Sequence, residues 1–595
     1  MIVEHANAIF NNDSERVKIR QRVENRGLVE LSALESDRSL RSSFEMLLEQ
    51  RDVGVFWNPL LGKPLSMVSD TTVHSNGDSG FATRTLKAAS AHADEAPPEP
   101  AMSTRQELVS AMHWARLAQP EWASFSLSQR FSALERAAKA MLRDRDTVLA
   151  LAKEEMGKHE VEGLFSEALG PLETLKSWLH VIERAQSIPI RLSPLSFPGK
   201  SARVELVPRG VVGVIAPWNY PVAGLYRALF PALLSGNAVL VKPSEYTPRT
   251  SSWFIAHLAN ELPLGVAQAV VGDARAGSAL LECGIDACVF TGSTSAGAQV
   301  RVRCAELGIP SSIEMGGKDA AIVLADCALS RTAAGITHWA LSNSGQSCGA
   351  IEIAYVEDSI ADAFVACLRR SWSLLRTGPG EDDVEIHPIA NWRQLQLIEA
   401  HVSDALDKGA HLVCGGARTG RGLGYPPTLL DHCHAAMDVV REETFGPVLA
   451  VVRFEGTDEA VRQINAGKYG LGASIWTSDI ARAKRIASRL DVGIVNINNH
   501  SFTGAVPALP WSGTRATGYG IANSAWSLQT FCRPKALVVD RNRSPDPYWM
   551  PFDQDLRKLG EALIDAQLGN VFRALSIPLL MRKRVQRIKD FFVVK

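Results

Sequence analysis

Val211-Val212-Gly213-Val214-Ile215-Ala216 is an unbroken apolar run closed by Pro217. A helical pattern follows at Tyr226–Leu234, then a second apolar run at Ala238–Val241, closed by Lys242-Pro243. Short apolar runs bounded by Pro and Gly read as strands buried on both faces. Strand, helix and strand in this order predict a parallel βαβ unit. The alternation continues outward. Ser251–Leu258 has helical spacing and Ala287–Phe290 is another apolar run. Upstream, charge alternates with Ala and Leu at helical spacing through Arg105–Trp122, Leu127–Met156 and Phe165–Ala185. Downstream a second series of strands is expected at Ala320–Leu324, Ile353–Val356, Leu412–Cys414, Ala450–Phe454, Ala473–Thr477 and Gly493–Ile497. The expected fold class is α/β, with two open α/β units and no internal repeat.

A chain of 595 residues is too long for one core. Its net charge of −1 gives no global pointer to nucleic acid. Nine scattered cysteines, an odd number with no CxxC pair, argue for a reducing compartment rather than a disulfide framework. Glu4, Asp13, Glu15 and Glu24 lie in a start without a long apolar run, so no signal peptide is visible. No stretch reads as a bilayer span. The default expectation is the cytoplasm. Short helices are expected around Leu28–Leu34 and Phe44–Leu48, and residues 69–100, ending in Ala96-Pro97-Pro98-Glu99-Pro100, read as a flexible linker or insertion.

Residues 541–595 form a tail that opens on Asp546-Pro547-Tyr548-Trp549-Met550-Pro551. Ile564, Leu568, Val571 and Leu575 share a helix face, with Pro578 interrupting the pattern. Beyond it Arg582, Lys583, Arg584, Arg587, Lys589 and Lys595 face Val585, Ile588, Phe591 and Phe592. Such a basic amphipathic end can make peripheral contact with an anionic membrane. The plainer expectation is a helix docked on the enzyme or on a partner subunit.

Chemistry centres on Asn343-Ser344-Gly345-Gln346-Ser347-Cys348. Lone cysteines are usually small buried apolar residues, and the other eight take that reading. Cys348 differs because Gly345 and Gly349 leave room for close approach to its sulfur. Thirty-four residues earlier stands Glu314-Met315-Gly316-Gly317-Lys318. A cysteine, a carboxylate and paired glycines are the parts needed for covalent chemistry on a carbonyl. Taken singly, Glu314 reads as a surface carboxylate beside a turn. Asn219, in Pro217-Trp218-Asn219-Tyr220-Pro221, either starts a turn or aims its amide at a developing oxyanion. Lys242-Pro243-Ser244-Glu245 is a charged turn or a ribose-binding one, since open α/β sheets bind ligands at the carboxyl ends of their strands. Phe290-Thr291-Gly292-Ser293-Thr294-Ser295-Ala296-Gly297 ends a strand and opens a helix, where N–H groups can meet a phosphate. It is not the Gly-x-Gly-x-x-Gly fingerprint. Glu442-Glu443-Thr444-Phe445-Gly446-Pro447 leads into a strand.

Together and in this order, these motifs resemble the NAD(P)-dependent aldehyde dehydrogenase superfamily over residues 103–540. Pro510-Trp511-Ser512-Gly513-Thr514-Arg515 looks like that family's Pro-Phe-Gly-Gly-x-Lys segment. The resemblance implies an NAD(P)-binding domain at 101–186 and 209–317, a catalytic domain at 318–523, and an oligomerisation β-flap at 187–208 with 524–540. Residues 1–100 would be an N-terminal extension, although Asn58-Pro59-Leu60-Leu61-Gly62-Lys63 resembles the opening of the family domain. A homodimer or homotetramer is implied. Cys348 matches the nucleophile, Glu314 the general base and Asn219 the oxyanion-hole side chain, with the Cys348 N–H as its companion. Trp218, Lys242, Ser244 and Glu245 match positions around the cofactor's phosphates and adenosine ribose. Gly292 and Ser293 match the pyrophosphate turn, and Glu443 and Phe445 match the nicotinamide ribose and ring positions. No metal is implied.

The implied reaction runs from aldehyde to thiohemiacetal to thioester, with hydride passing to the nicotinamide and Glu314 activating water to release a carboxylic acid. NAD is the preferred coenzyme, because Glu245 would meet a 2′-phosphate as a like charge; Lys242 and Ser244 leave NADP open. Two other readings compete: a coenzyme A-acylating relative, or a non-catalytic scaffold. The sequence also departs from the family. Ala228 stands where many members carry Lys, and Arg227 beside it is expected to point elsewhere. Ala522 and Ala525 replace glutamates. Gly349, often Thr, is expected to widen the substrate tunnel, whose walls are sought near Trp339, Ser342 and Ser347. That tunnel and the tail prompt long-chain or aromatic aldehydes as substrates.

Overall fold

In the computed structural model, residues 103–194, 196–378, 384–418, 420 and 422–592 are described, with the backbone of Trp57–Asn58 and Lys63–Pro64. The expected helices at Leu28–Leu34 and Phe44–Leu48 and the linker 69–100 lie outside these residues. The chain divides into two units, Met1–Leu86 and Lys87–Lys595. In the first, Trp57–Asn58 pairs antiparallel with Lys63–Pro64.

The second unit opens with α1 (Arg105–Ser124) and α2 (Leu127–Arg143). Each starts at a reciprocal capping box, Thr104 with Glu107 and Ser126 with Gln129. An N-cap of this kind stabilises a helix by about 1 kcal/mol. The expected single helix Leu127–Met156 is broken at Asp144, and α3 is Arg145–Met156. The cause is tertiary. The Asp144 carboxylate leaves the helix pattern to accept hydrogen bonds from Thr147 Oγ1 and Trp253 Nε1, both at 2.6 Å, and it faces His257 Nε2 at 3.0 Å. The helix expected from Phe165 begins only at Gly170 (α4, Gly170–Ala185), after a wide turn over Leu164–Ala168 that sends Glu167 inward to the buried Lys158.

Strands β1 (Ser187–Ile190) and β2 (Lys200–Pro208) precede the alternating series. That series is β3 (Val211–Ile215), α5 (Ala223–Leu234), β4 (Ala238–Lys242), α6 (Pro248–Glu261), β5 (Ala267–Ala269), α7 (Ala274–Glu282), β6 (Ala287–Thr291), α8 (Thr294–Glu306) and β7 (Ser311–Glu314). The second series is β8 (Asp319–Val323), α9 (Leu329–Leu341), β9 (Ile351–Glu357), α10 (Asp358–Trp372), α11 (Trp392–Asp407), β10 (His411–Cys414), β11 (Thr428–Asp431), β12 (Val448–Phe454), α12 (Thr457–Ala466), β13 (Gly472–Trp476), α13 (Ile480–Ala487) and β14 (Ile494–Ile497). The chain closes with β15 (Gly518–Tyr519), β16 (Cys532–Asp540), α14 (Gln554–Gln567) and α15 (Val571–Phe592).

The first sheet has the order β15-β7-β6-β3-β4-β5, parallel except for β15. The second has the order β10-β11-β12-β9-β8-β13-β14, parallel except for β10. Both are covered on two faces, as the continuous apolar runs require. In β9, Ile353 and Tyr355 pack toward Leu395 and Ile398, whereas Ala354 and Val356 pack toward Phe364 and Leu368. This is the two-residue alternation of a strand. β11 has no counterpart among the expected strands. Only Leu429 and Leu430 are strongly apolar in it, yet all four residues are buried beside β12. β2 and β16 pair antiparallel along their length, with Ala536 opposite Val204, and β1 adds a third strand.

The tail differs from its expectation. α14 and α15 form a helical hairpin that turns at Leu568–Asn570, so Ile564 and Val571 are on different helices. Pro578 lies inside α15 without ending it. Arg584 is buried rather than part of a solvated basic face. Its guanidinium donates to the Asp553 carboxylate and to the Trp549 and Pro551 carbonyls, tying the hairpin to the segment before it.

Candidate active site

The nominated residues gather where two strand edges meet. Trp218 and Asn219 follow β3, Lys242 ends β4, Gly292 and Ser293 follow β6, and Glu314 ends β7. All are at the carboxyl edge of the first sheet. Here β3 is flanked by β4 on one side and β6 on the other, the switch point at which open α/β sheets form a crevice. Gly316-Gly317-Lys318 lead into β8, Cys348 leads into β9, and Glu443 and Phe445 lead into β12. These belong to the amino edge of the second sheet.

The loop before Cys348 holds an improbable backbone. Asn343 and Ser344 both have φ near +54°, a region disfavoured for residues with side chains. Buried hydrogen bonds keep it there. Asn343 Nδ2 donates to the carbonyls of Asn219 (3.1 Å) and Gln346 (3.0 Å), and Ser344 Oγ to that of His387 (2.8 Å). The Asn343 N–H donates to the Glu162 carboxylate. At Gly345 (φ 70°) a Cβ would run into the Gly446 backbone, so only glycine fits. Asn219 Nδ2 reaches the Gln346 carbonyl at 3.1 Å. Its amide therefore lies beside the nucleophile loop with one N–H still free for another acceptor.

The paired glycines have a packing reason. A Cβ on Gly317 would strike the Cys348 carbonyl, and one on Gly316 would strike the Glu443 carboxyl. Gly317 N donates to Glu443 Oε1 at 2.9 Å. Behind this contact, Lys318 is buried against Glu352. Glu352 in turn accepts the Thr444 and Phe445 N–H groups, each at 2.8 Å. Phe445 sits at φ 52° with its ring 5.5 Å from that of Trp218, edge to face.

Burial dominates the electrostatics. It pushes the Cys348 thiol up to about 12; Arg227 opposes that shift, and the carboxyls of Glu314, Glu443 and Asp319 add to it. Burial also raises Glu314, again against Arg227. Glu443 is raised to about 8, first by burial and then by Glu352, so it holds a proton at neutral pH. Arg227 is therefore not turned away, as the sequence reading expected. Its guanidinium lies 4.9 Å over the Trp511 ring, and its Nε and Nη2 are buried without a hydrogen-bond partner. It brings a cation to the thiol and carboxylate from the position next to Ala228. Gly349 also needs correction. A Cβ there would meet Ser501 Oγ and the Trp511 ring, so the glycine accommodates the tryptophan and does not widen a channel.

The first edge fits a dinucleotide. Lys242 is 4% exposed and pairs with Glu245 at 2.9 Å, while the Glu245 side chain remains 39% exposed and open to hydroxyl groups. Ser244 is buried beside them. Ser293 caps α8, whose N-terminus opens directly after β6. Glu443 and Phe445 wait across the gap on the other sheet. The functional layer that sequence reading missed comprises Lys158, Glu162, Glu167, Lys318, Glu352, Asp319, His387 and His500. His387 Nε2 lies 3.2 Å from Asn343 Oδ1, and His500 Nε2 lies 3.2 Å from the Gly349 carbonyl. Their one visible signal is a charged residue next to apolar runs, as with Glu352 inside Ile351–Val356.

The Glu314 and Glu443 carboxyls thus lie within electrostatic reach of the Cys348 thiol beside the switch point of the first sheet, an arrangement that suits an oxidoreductase acting on a carbonyl. The aldehyde dehydrogenase family profile matches residues 82–537, and the chain belongs to that family. It is an NAD(P)-dependent aldehyde dehydrogenase. It is 34% identical over 451 residues to a 4,4'-diapolycopene aldehyde oxidase of Methylomonas, covering 75% of this chain and 84% of that one. It is 31% identical to the NADP(+) succinate-semialdehyde dehydrogenase of Escherichia coli, covering 73% and 90%. Among solved structures, an NADP-dependent glyceraldehyde-3-phosphate dehydrogenase from Bacillus halodurans, complexed with NADP, superposes with TM-score 0.70 at 33% identity, covering 74% and 92%. A Mycobacterium tuberculosis aldehyde dehydrogenase complexed with NAD+ does so at 0.70 and 27%, covering 75% and 92%.

Proposed function

We propose that the chain oxidises its aldehyde to a free carboxylic acid by covalent catalysis at Cys348, with Glu314 as general base and Asn219 in the oxyanion hole. The observation that carries this is the convergence of the three on one crevice: Asn219 bonded to the Cys348 loop, and Glu314 and Arg227 within electrostatic reach of the thiol. Cys348, a protonated thiol in the free protein, gives its proton to the Glu314 carboxylate, with Arg227 favouring the anion, and its sulfur bonds to the carbonyl carbon as the C=O pair moves onto oxygen; Glu314 then passes that proton to solvent. The free Asn219 N–H and the Cys348 N–H hold the resulting oxyanion. Bound NAD(P) supplies the hydride acceptor and a positive ring. Glu314, raised by burial toward the working pH, takes the proton of the water that cleaves the thioester.

Trp218, Lys242, Ser244, Glu245, Gly292, Ser293, Glu443 and Phe445 hold the cofactor in this proposal. NAD is the better fit, because the exposed Glu245 carboxylate suits ribose hydroxyls and repels a 2′-phosphate. Residues 101–186 with 209–317 form the cofactor domain, residues 318–523 the catalytic domain, and 187–208 with 524–540 the sheet through which a homodimer or homotetramer assembles. The test follows NADH and NADPH production across an aldehyde panel without coenzyme A. Free acid formed in that mixture supports the proposal; acyl transfer that depends on coenzyme A overturns it.

A further inference from the structure

The C-terminal hairpin is apolar on two opposite sides. One side of α15, carrying Ile577 and Ile588, is buried, with Ile577 packed together with Leu559 and Ala562 of α14. On a helix of 3.6 residues per turn, Val571, Phe572, Leu575 and Leu579 fall on the opposite side. They are exposed by 67%, 87%, 73% and 72%, and Leu568 at the turn by 81%. Burial against α14 therefore does not account for them. Contiguous exposed apolar groups of this size mark an interaction surface.

The charges say what that surface meets. Toward the C-terminus, the same side of α15 carries Arg582 and Lys589, neither of which has an acidic partner among the described residues. Lys583, Arg584 and Arg587 are held by Asp555 and Asp553. One helix side thus runs from an apolar hairpin tip to two unpaired cations, with Asp590, which accepts from Gln586, as the single carboxylate of α15. We propose that this hairpin docks on an anionic lipid bilayer, its tip entering the acyl boundary and Arg582 and Lys589 meeting the headgroup phosphates. An enzyme held there meets aldehydes that partition into lipid, so the matching substrate class is an aldehyde on a long apolar chain. This last step rests on the proposed aldehyde oxidation; the docking does not.

The test is flotation of the full chain with vesicles of phosphatidylcholine alone, or of phosphatidylcholine and phosphatidylglycerol in equal parts. The variants are F572S/L575S/L579S and R582A/K589A, all at exposed positions that leave the fold intact. The chain floats with the anionic vesicles, and each variant weakens that binding by about tenfold or more. Oxidation of a short water-soluble aldehyde stays unchanged in both, while turnover of a long-chain aldehyde carried in the vesicles falls. Absence of flotation, or flotation indifferent to the serine substitutions, overturns the proposal. So does a serine variant that dissociates an oligomer, which would make the tip a contact between copies. Loss of short-aldehyde oxidation in the unaltered chain would instead count against the enzymatic proposal.

Discussion

The two sheets are built alike and used in opposite ways. Both are open, mainly parallel and buried on two faces. The first offers its carboxyl edge, with a helix N-terminus, a Lys–Glu pair and a turn of small residues. The second offers its amino edge, with the cysteine, a raised carboxyl and a left-handed phenylalanine. The carboxyl edge suits a ligand that binds and leaves unchanged in outline, because loops after parallel strands can cradle it. The amino edge holds groups that must be forced into place. There the chain uses the buried ion pair of Lys318 with Glu352 and positive φ at Asn343, Ser344 and Phe445. In the proposed function most cofactor contacts fall to the first edge and the nucleophile to the second, with Asn219 and Glu314 crossing into the chemistry and Glu443 and Phe445 into cofactor binding.

Substitutions should separate the two edges. C348A has the largest effect, a fall in kcat of about 10⁴-fold or more with coenzyme affinity retained, seen by comparing steady-state rates with coenzyme titration. N219A sits on the binding edge but acts in the chemistry, so kcat falls by about 10²–10³ while coenzyme affinity holds. A change in coenzyme affinity alone would return Asn219 to the binding edge. E245Q acts on binding: the KM for NAD rises by about tenfold, discrimination against NADP shrinks, and kcat moves little.

E443Q also removes a proposed cofactor contact, so the smallest effect, the one on stability, is read on the cofactor-free protein. In the unfolded chain this carboxyl ionises near its ordinary 4.5, whereas in the folded chain it keeps its proton to about 8. Between those values the unfolded state binds fewer protons, so Glu443 makes stability fall as pH rises. The thermal midpoint of E443Q should therefore gain on that of the unaltered chain by a few degrees as pH rises through this window.

The binding edge was the more legible. Its motifs follow apolar runs, so the rule about strand ends pointed to Lys242, Glu245 and Gly292, which do end or follow β4 and β6, while Trp218 was pointed to by the family resemblance alone. The long apolar strands were read nearly as they stand, but β1, β5, β7, β11 and β15 were not, because each is short or mixed and makes no apolar run of its own. The amino edge was legible only as motifs. That Gly316-Gly317 lets the segments of Glu443 and Cys348 approach, or that Gly349 makes room for Trp511, depends on residues well outside the local motif. Arg227 was misplaced because helix phase alone says where a side chain starts, whereas a long guanidinium can lie across an indole and reach elsewhere. The hairpin was misread because Gly569 and Asn570 were taken within a continuous helix face, although Gly569 has φ near +92° and turns the chain.

The most direct test is mass spectrometry of E314Q after one turnover with NAD and aldehyde, in which loss of the base should strand the thioester. The prediction is an acyl group on the peptide containing Cys348, absent from C348A/E314Q and discharged by hydroxylamine. An acyl group on any other cysteine, or free acid still produced at the normal rate by C348A, would contradict the account.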